Sequence, residues 1–390
     1  MRVLSFSSCF PSAADPHRGV FVLERLAALA GRVPLEVVHP VGWFPGYPGR
    51  FRAPDRPRET LRGLTVHHRR FFYLPGVLKR LDGRLYSRGI ARWLGRHFDA
   101  HGPPDLLDAH FVWPDGVAVS RLAERFNLPF VVTLRGTLNS RARRRSLRRR
   151  IARALQRAAA VISVGEPMAA LAAELGAEPE KITVIPNGVD TNLFRPIPPE
   201  LARQSVGLDP AGRCVVAVAN MRPDKGLSEL VEAMAALPAD VRVVIVGEDG
   251  DAGGYRRSLQ AAARRGGYGD RLLFAGPQPH ERVGLYLNAA EVSVLPSRVE
   301  GCPNVVLESL ACGRPVVATR VGEVPNLVIP DVSGKIVPPR DPLALGDALN
   351  AALARTWSAE TIRRTPAVRS WDEVAQATLL VWQRAVGEGP

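Results

Sequence analysis

The stretch EVSVLPSRVEGCPNVVLESLACGRPVVAT, Glu291–Thr319, decides how the rest of the chain is read. EVSVLPS is a short β-branched run that ends at a proline, and PVVAT is a second such run. Between them VVLESLACG places apolar residues three and four apart, the period of a helix, and Gly313 with Pro315 marks its end. Strand, loop, helix and strand in this order form a parallel crossover unit, which belongs in a sheet covered by helices on both faces. Asn304 is expected to cap the helix. Glu308 then lies one turn inside it, roughly 6 Å along the axis at about 1.5 Å per residue. Glu300 sits in the loop just before the helix mouth. The amides of the first turn have no intrahelical acceptor and favour a phosphate, and the two carboxylates accept hydrogen bonds from hydroxyl groups. A sugar joined through a diphosphate to a nucleoside matches that pattern. Taken singly, Glu300 also fits a dipole-favoured residue near a helix start and Glu308 a solvated helix residue.

The same alternation runs outward in both directions. VLSF, LEVVHPV, LTVHHRRFF, DLLDAHF, FVVTL, AVISV and ITVIP read as strands, with VFVLERLAALA and PDGVAVSRLAERF among the intervening helices. The segment NGVDTNLFRPIPPELARQSVGLDPAG, rich in proline and turn residues, breaks the pattern. It restarts with CVVAVAN, VRVVIVGE, RLLFAG, EVSVLPS and PVVATR. The fold class expected is α/β, with two Rossmann-like doubly wound domains facing each other across a cleft. The first spans 1–198 and the second 199–371, and a last helix over 372–390 packs back on the first. Ligands in such sheets bind at the carboxyl ends of the strands. Neither half has GxGxxG between strand and helix, and GxxxxGK[ST] does not occur, which disfavours dinucleotide redox enzymes and P-loop NTPases.

Length and composition agree with two domains. The chain has 390 residues, 46% apolar and 23% charged, as in globular proteins. Its formal net charge of +14 favours an anionic partner, whether nucleic acid, phosphorylated small molecule or membrane. Cys9, Cys214, Cys302 and Cys312 are widely spaced, without the pairing of a zinc site, and read as free buried thiols. The N-terminus lacks the apolar run of a signal peptide, and no segment approaches eighteen apolar residues. A cytoplasmic protein is expected.

Other strand ends add candidates. MRPDKG puts Lys225 and Gly226 after CVVAVAN, on the same edge as the Glu pair, where a phosphate contact is expected. Gly247, after VRVVIV, permits close backbone approach, as Gly19 does before VFVLERLAALA, where a structural turn fits equally. His110 follows DLLDA and faces the cleft or is a satisfied structural histidine; Arg135 and Thr137 are lesser candidates. From Arg141 to Arg157 the chain has nine arginines and no acid, with Leu147, Ile151, Ala154 and Leu155 along one helical side. That face is either simply solvated or adheres to anionic lipid. Nucleic acid fits less well, because aromatic interleaving is absent.

VIPNGVDTNLF, MRPDKG and LPSRVEGCPNVVLESLACGRPVVAT together resemble the retaining glycosyltransferases of family 4, which have the GT-B fold. The likeness extends through essentially the whole chain. It implies an N-terminal acceptor-binding domain and a C-terminal nucleotide-sugar-binding domain. It implies that Glu308 holds the donor ribose, that Glu300 and the amides around Gly301, Cys302, Pro303, Asn304 and Val305 hold the transferred sugar, and that Lys225 binds the diphosphate. Asn220, Gly247 and Gly19 join the binding set, and His110 the catalytic one. Many relatives carry Gly-Arg where this chain has Ala219 and Asn220, with Arg222 the candidate substitute cation, and a histidine where it has Arg135. GVFV, HFVWPDG and TLRGT are similar to the subgroup of cell-surface polysaccharide synthesis. The expected activity is transfer of a sugar from a nucleotide-diphosphate-sugar donor to a hydroxyl of a lipid-linked or oligosaccharide acceptor. No cofactor or metal is expected beyond the donor substrate, nucleic acid is not an expected partner, and the Arg141–Arg157 face is expected to meet anionic membrane at the inner face of the plasma membrane. A nucleotide-sugar epimerase or phosphorylase of the same fold, or a basic nucleic-acid-binding protein with a vestigial sugar site, are the alternatives.

Overall fold

The structure, a computed structural model, describes residues 1–13, 15–16, 18–45, 56–250 and 253–387. It divides into two compact units, Met1–Asn187 with Trp371–Pro390, and Gly188–Ser370. The expected start of the second domain at 199 thus falls inside the second unit. The physical reason lies in the proline-rich segment. Val189 and Phe194 are buried in the second unit's core, the Val189 amide donates to the Arg369 carbonyl at 2.8 Å, and the Ile197 amide donates to the Asn288 side chain at 2.9 Å.

The first unit holds an eight-stranded sheet: β1 (Val3–Phe6), β2 (Leu35–Trp43), β3 (Arg58–Leu61), β4 (Leu64–Phe72), β5 (Leu106–His110), β6 (Phe130–Leu134), β7 (Ala160–Ser163) and β8 (Ile182–Val184). The order is β3-β4-β2-β1-β5-β6-β7-β8, parallel except where β3 runs against β4. The central strands β1, β5, β6 and β7 are buried along their whole length, as parallel strands covered on both faces must be. The helix Val20–Ala30 matches the expected VFVLERLAALA residue for residue. The helix Trp371–Ala385 lays Val374, Ala375, Val381 and Trp382 into the core beside Val22, Leu26 and Leu29, and Arg32 pairs with Asp372 at 2.5 Å. Residues 388–390 lie outside the described residues.

The second unit holds six parallel strands, β9 (Arg213–Val218), β10 (Val241–Val246), β11 (Leu272–Gly276), β12 (Val292–Leu295), β13 (Val316–Thr319) and β14 (Gly334–Val337). Their order is β11-β10-β9-β12-β13-β14. The winding direction therefore reverses between β9 and β12, and in the first unit between β1 and β5. At such a reversal the loops leaving two neighbouring strands diverge to opposite faces and open a crevice at the carboxyl edge.

Candidate active site

The crevice in the second unit is bounded by the loops leaving β9 and β12, and it collects most of the candidate residues. Lys225 ends the short turn Pro223–Lys225 after β9, and Glu300 lies in the loop after β12. Lys225 Nζ donates to Glu300 Oε1 at 2.7 Å, and Ser297 Oγ donates to the same oxygen at 2.7 Å. Both partners are largely shielded, with 21% and 12% of their side chains exposed, so the pair is held rather than floating in solvent. Oε2 of Glu300 keeps its acceptor capacity among the described residues.

The two loops are stitched together. The Arg298 amide donates to the Asp224 carbonyl at 2.9 Å, and Arg298 Nε donates to Glu229 Oε1 at 2.7 Å. Gly322, at φ 53°, presses on the Glu300 loop: a Cβ there would stand 2.4 Å from the Gly301 carbonyl oxygen and 2.6 Å from that of Glu300. The Glu323 amide donates to the Gly301 carbonyl at 2.8 Å. Ser297, Arg298, Glu229 and Gly322 were not singled out in the sequence; Arg298, Glu229 and Gly322 act through partners far along the chain, whereas Ser297 reaches Glu300 only three residues on.

The following helix spans Asn304–Ala311. Asn304 is its first residue and not its cap; Pro303 occupies the cap position and its carbonyl accepts from the Val306 amide at 3.1 Å. Proline there fixes the backbone and leaves no amide to satisfy. The Val305 amide has no acceptor among the described residues. At the far end the Gly313 amide reaches the Leu310 carbonyl at 2.9 Å and the Arg314 amide the Ser309 carbonyl at 3.0 Å, the paired bonds of a Schellman turn. Glu308 is half-buried, and no described residue donates to its carboxyl. Burial pushes that carboxyl up to about 7. A desolvated carboxyl without a donor is costly unless a ligand supplies one. Glu308 is thus partly shielded by its neighbours rather than fully solvated.

The remaining candidates are placed differently. Asn220 is exposed at the end of β9. Arg222 pairs at the surface with Asp224, with Nε 2.8 Å from Oδ1. Gly247 and Gly19 are explained by the fold itself, since a Cβ would stand 2.1 Å from the Ala219 carbonyl oxygen and 2.2 Å from that of Cys9 respectively. His110 does not present a free imidazole. It is 1% exposed, with Nε2 3.0 Å from Asp108 Oδ2 and Nδ1 3.2 Å from an Arg135 guanidinium nitrogen. Burial, opposed by Asp108, lowers the ring from its ordinary value, and Nε2, although close to Asp108, makes no hydrogen bond among the described residues. Arg135 also donates to Asn187 at 3.0 Å and stacks 4.7 Å from the Phe21 ring centre. Thr137 precedes the short helix Leu138–Ala142. Asp115, not singled out in the sequence, is buried at the first unit's reversal, where Ser8 donates from its amide at 2.7 Å and its hydroxyl at 2.6 Å.

The arginine-rich segment is not one helix: Arg141 belongs to the short helix Leu138–Ala142, and a second helix spans Arg145–Arg157, with Leu147, Ile151, Ala154 and Leu155 buried as the spacing requires. Its outer face joins arginines of the turn Lys79–Leu81 and the helices Asp82–His101 and Val117–Phe126 around a groove of about 740 Å³ lined by Arg80, Arg84, Arg121, Arg149, Arg150, Arg153 and Arg157, with Glu124 the sole acid. Two of the four free cysteines, Cys9 and Cys302, are only half-buried, whereas Cys214 and Cys312 are buried. No helix among the described residues is long and apolar enough to cross a membrane.

Comparison with known proteins agrees with this geometry. Residues 212–355 match the model described as glycosyl transferases group 1, and residues 39–193 that described as glycosyltransferase family 4. A D-inositol 3-phosphate glycosyltransferase of Xylanimonas cellulosilytica is 32% identical over 334 residues, 80% of this chain and 79% of the relative. The Bacillus subtilis glycosyltransferase TuaC, named for teichuronic acid biosynthesis, is 29% identical over 90% of this chain and 88% of its own. The solved structure of Anabaena Alr3699/HepE in complex with UDP and glucose matches with a TM-score of 0.75 at 21% identity, covering 97% of this chain and 98% of that one. Two parallel Rossmann-like sheets of this winding, with these matches along both, make the chain a glycosyltransferase of GT-B fold that belongs to family 4.

Proposed function

We propose that the protein transfers a sugar from a nucleotide-diphosphate-sugar to a hydroxyl of a lipid-linked or oligosaccharide acceptor, with retention at the anomeric carbon, in the synthesis of a cell-surface polysaccharide. The observation that carries this reading is the grouping at the β9/β12 reversal: a fixed Lys225–Glu300 pair, a helix mouth with the Val305 amide open, and Glu308 desolvated without a donor. In it the second unit binds the donor and the first the acceptor. Glu308 accepts from the ribose hydroxyls. Glu300, through its open oxygen, and the backbone from Gly301 to Val305 hold the transferred sugar. As the bond from the anomeric carbon to the diphosphate breaks, negative charge grows on the leaving oxygen, and Lys225 with the helix amide stabilises it. A metal has no assigned part in that step.

Two relatives support the finer points. HepE, of the same fold, holds UDP and glucose, and TuaC is named for a cell-envelope polymer. The groove of seven arginines supports attachment to an anionic membrane at the cytoplasmic face. A thermal-shift panel of nucleotide-sugars tests the reading. Donors sharing one base and one sugar should raise the melting temperature of the wild-type chain and much less that of Glu308→Ala. A panel in which no nucleotide-sugar shifts the wild type would contradict it.

A further inference from the structure

We propose that Glu36, His67 and His97, with His101 as fourth donor, form a site for a divalent transition metal, best matched to zinc, that clasps the first unit's sheet to the helix Asp82–His101. The cluster is assembled by topology. β2 and β4 are parallel neighbours in which Glu36 stands opposite Thr65, so His67, two residues on, projects from the same face as Glu36. The helix Asp82–His101 packs over that face and brings His97 down to it.

His67 Nε2 lies 2.5 Å and His97 Nε2 3.6 Å from Glu36 Oε2, and the three ligand atoms lie within 4.8 Å of one another. Tetrahedral zinc with bonds of about 2.0 to 2.1 Å keeps its ligand atoms about 3.4 Å apart, so the His97–Glu36 contact already fits and the His67–Glu36 contact has to open by about 1 Å. His97 and His101 are spaced i, i+4 on one helical face, the spacing with which paired histidines chelate zinc, and their rings stack at 4.6 Å. Trp93 packs against both rings, 5.1 Å from His67 and 5.0 Å from His97, and fixes their orientation. A cavity of about 10 Å³, roughly one water in size, lies beside the cluster, touched by Glu36 and His97 but not by His67 or His101. The neighbouring cation, Arg2, is already engaged: it donates to the His101 carbonyl at 2.5 Å and to that of Gly102.

Two imidazoles and a carboxylate, with a third imidazole one helical turn from His97 whose Nδ1 lies 3.1 Å from the His97 carbonyl and leaves Nε2 for the metal, form a donor set for zinc rather than for magnesium or calcium, which prefer all-oxygen shells. Glu36 is near the amino-terminal end of β2, at the sheet edge opposite the one where ligands of such folds bind. The metal's part is therefore structural, and sugar transfer is expected to continue without it at moderate temperature.

The test uses the full chain, stripped with chelator and then exposed to zinc or cobalt. One equivalent of zinc should remain after dialysis and raise the melting temperature by about 5 to 10 °C at hundredfold saturation. Bound cobalt should give the intense visible bands of four-coordination. His101→Gln, on the surface and harmless to the core, and His97→Gln should each weaken retention at least tenfold. Failure of the wild type to retain stoichiometric metal, or retention by the double variant equal to wild type, would overturn the proposal.

Discussion

Glu300 and Glu308 carry the same carboxyl into different surroundings. Glu300 is held through one oxygen by Lys225 and Ser297, whereas Glu308 has burial and no donor. With its folded-state value raised to about 7 from an ordinary 4.5, the Glu308 carboxyl keeps its proton where the unfolded chain has lost it, so this group disfavours folding increasingly as pH rises from 4.5 through 7. Ribose hydroxyls donate to the ionised form, so a bound donor draws the proton off. Affinity for a nucleotide-sugar, whose diphosphate diester does not titrate in this range, should therefore be about tenfold weaker at pH 6 than at pH 8, and Glu308→Gln should remove the slope. Calorimetry across this range reads the effect, and an equal slope in the variant would exclude Glu308 as its source. The placement of these two residues in a loop and the helix after it was legible because both elements are local in sequence. The setting of His110 was not, because Arg135, which meets its Nδ1, follows the next strand, and only the folded sheet shows that the ring is buried against it. The Glu36–His67–His97 cluster escaped for the same reason: its spacing exists only after β2, β4 and a distant helix have packed.

At the scale of elements, strands with continuous β-branched runs were read correctly, and the two that were missed lack such runs. β3, RETL, is an edge strand whose residues alternate exposed and half-buried, and β14, GKIV, has four residues opened by a glycine. Neither has enough apolar surface to mark itself before its neighbour supplies the ladder. The helix Arg145–Arg157 is the opposite case, since its four apolar positions alone fix its buried face and leave the arginines outside. That outer face yields a prediction. In vesicle flotation the wild-type chain should bind anionic vesicles better than neutral ones and lose binding as salt rises, the Debye length being about 8 Å at physiological strength. Arg149→Gln, Arg150→Gln and Arg153→Gln together should weaken binding about a hundredfold, at about 1 kcal/mol per basic residue near the surface. Equal binding to neutral and anionic vesicles would reject the membrane assignment.

At the scale of the molecule, both units repeat one solution, a parallel sheet whose winding reverses beside its first strand, and each gathers polar residues at that reversal. The doubly wound class was legible from alternation alone. The unit boundary was not, because the proline-rich segment looks like a linker until Val189 and Phe194 are seen in the second core. The central claim is that the β9/β12 reversal binds and activates a nucleotide-sugar. Its most direct test is steady-state transfer from the donor identified by thermal shift, at 25 °C in the presence of EDTA, with circular dichroism confirming that every variant is folded. A ribose contact persists equally in ground and transition states, whereas contacts to the sugar change as its bond breaks. Glu308→Ala should therefore raise the donor KM about ten- to a hundredfold with little change in kcat, and Glu300→Ala should lower kcat by a similar factor. Wild-type kinetics in both variants, or loss of all activity with EDTA and recovery with magnesium or manganese, would contradict the account.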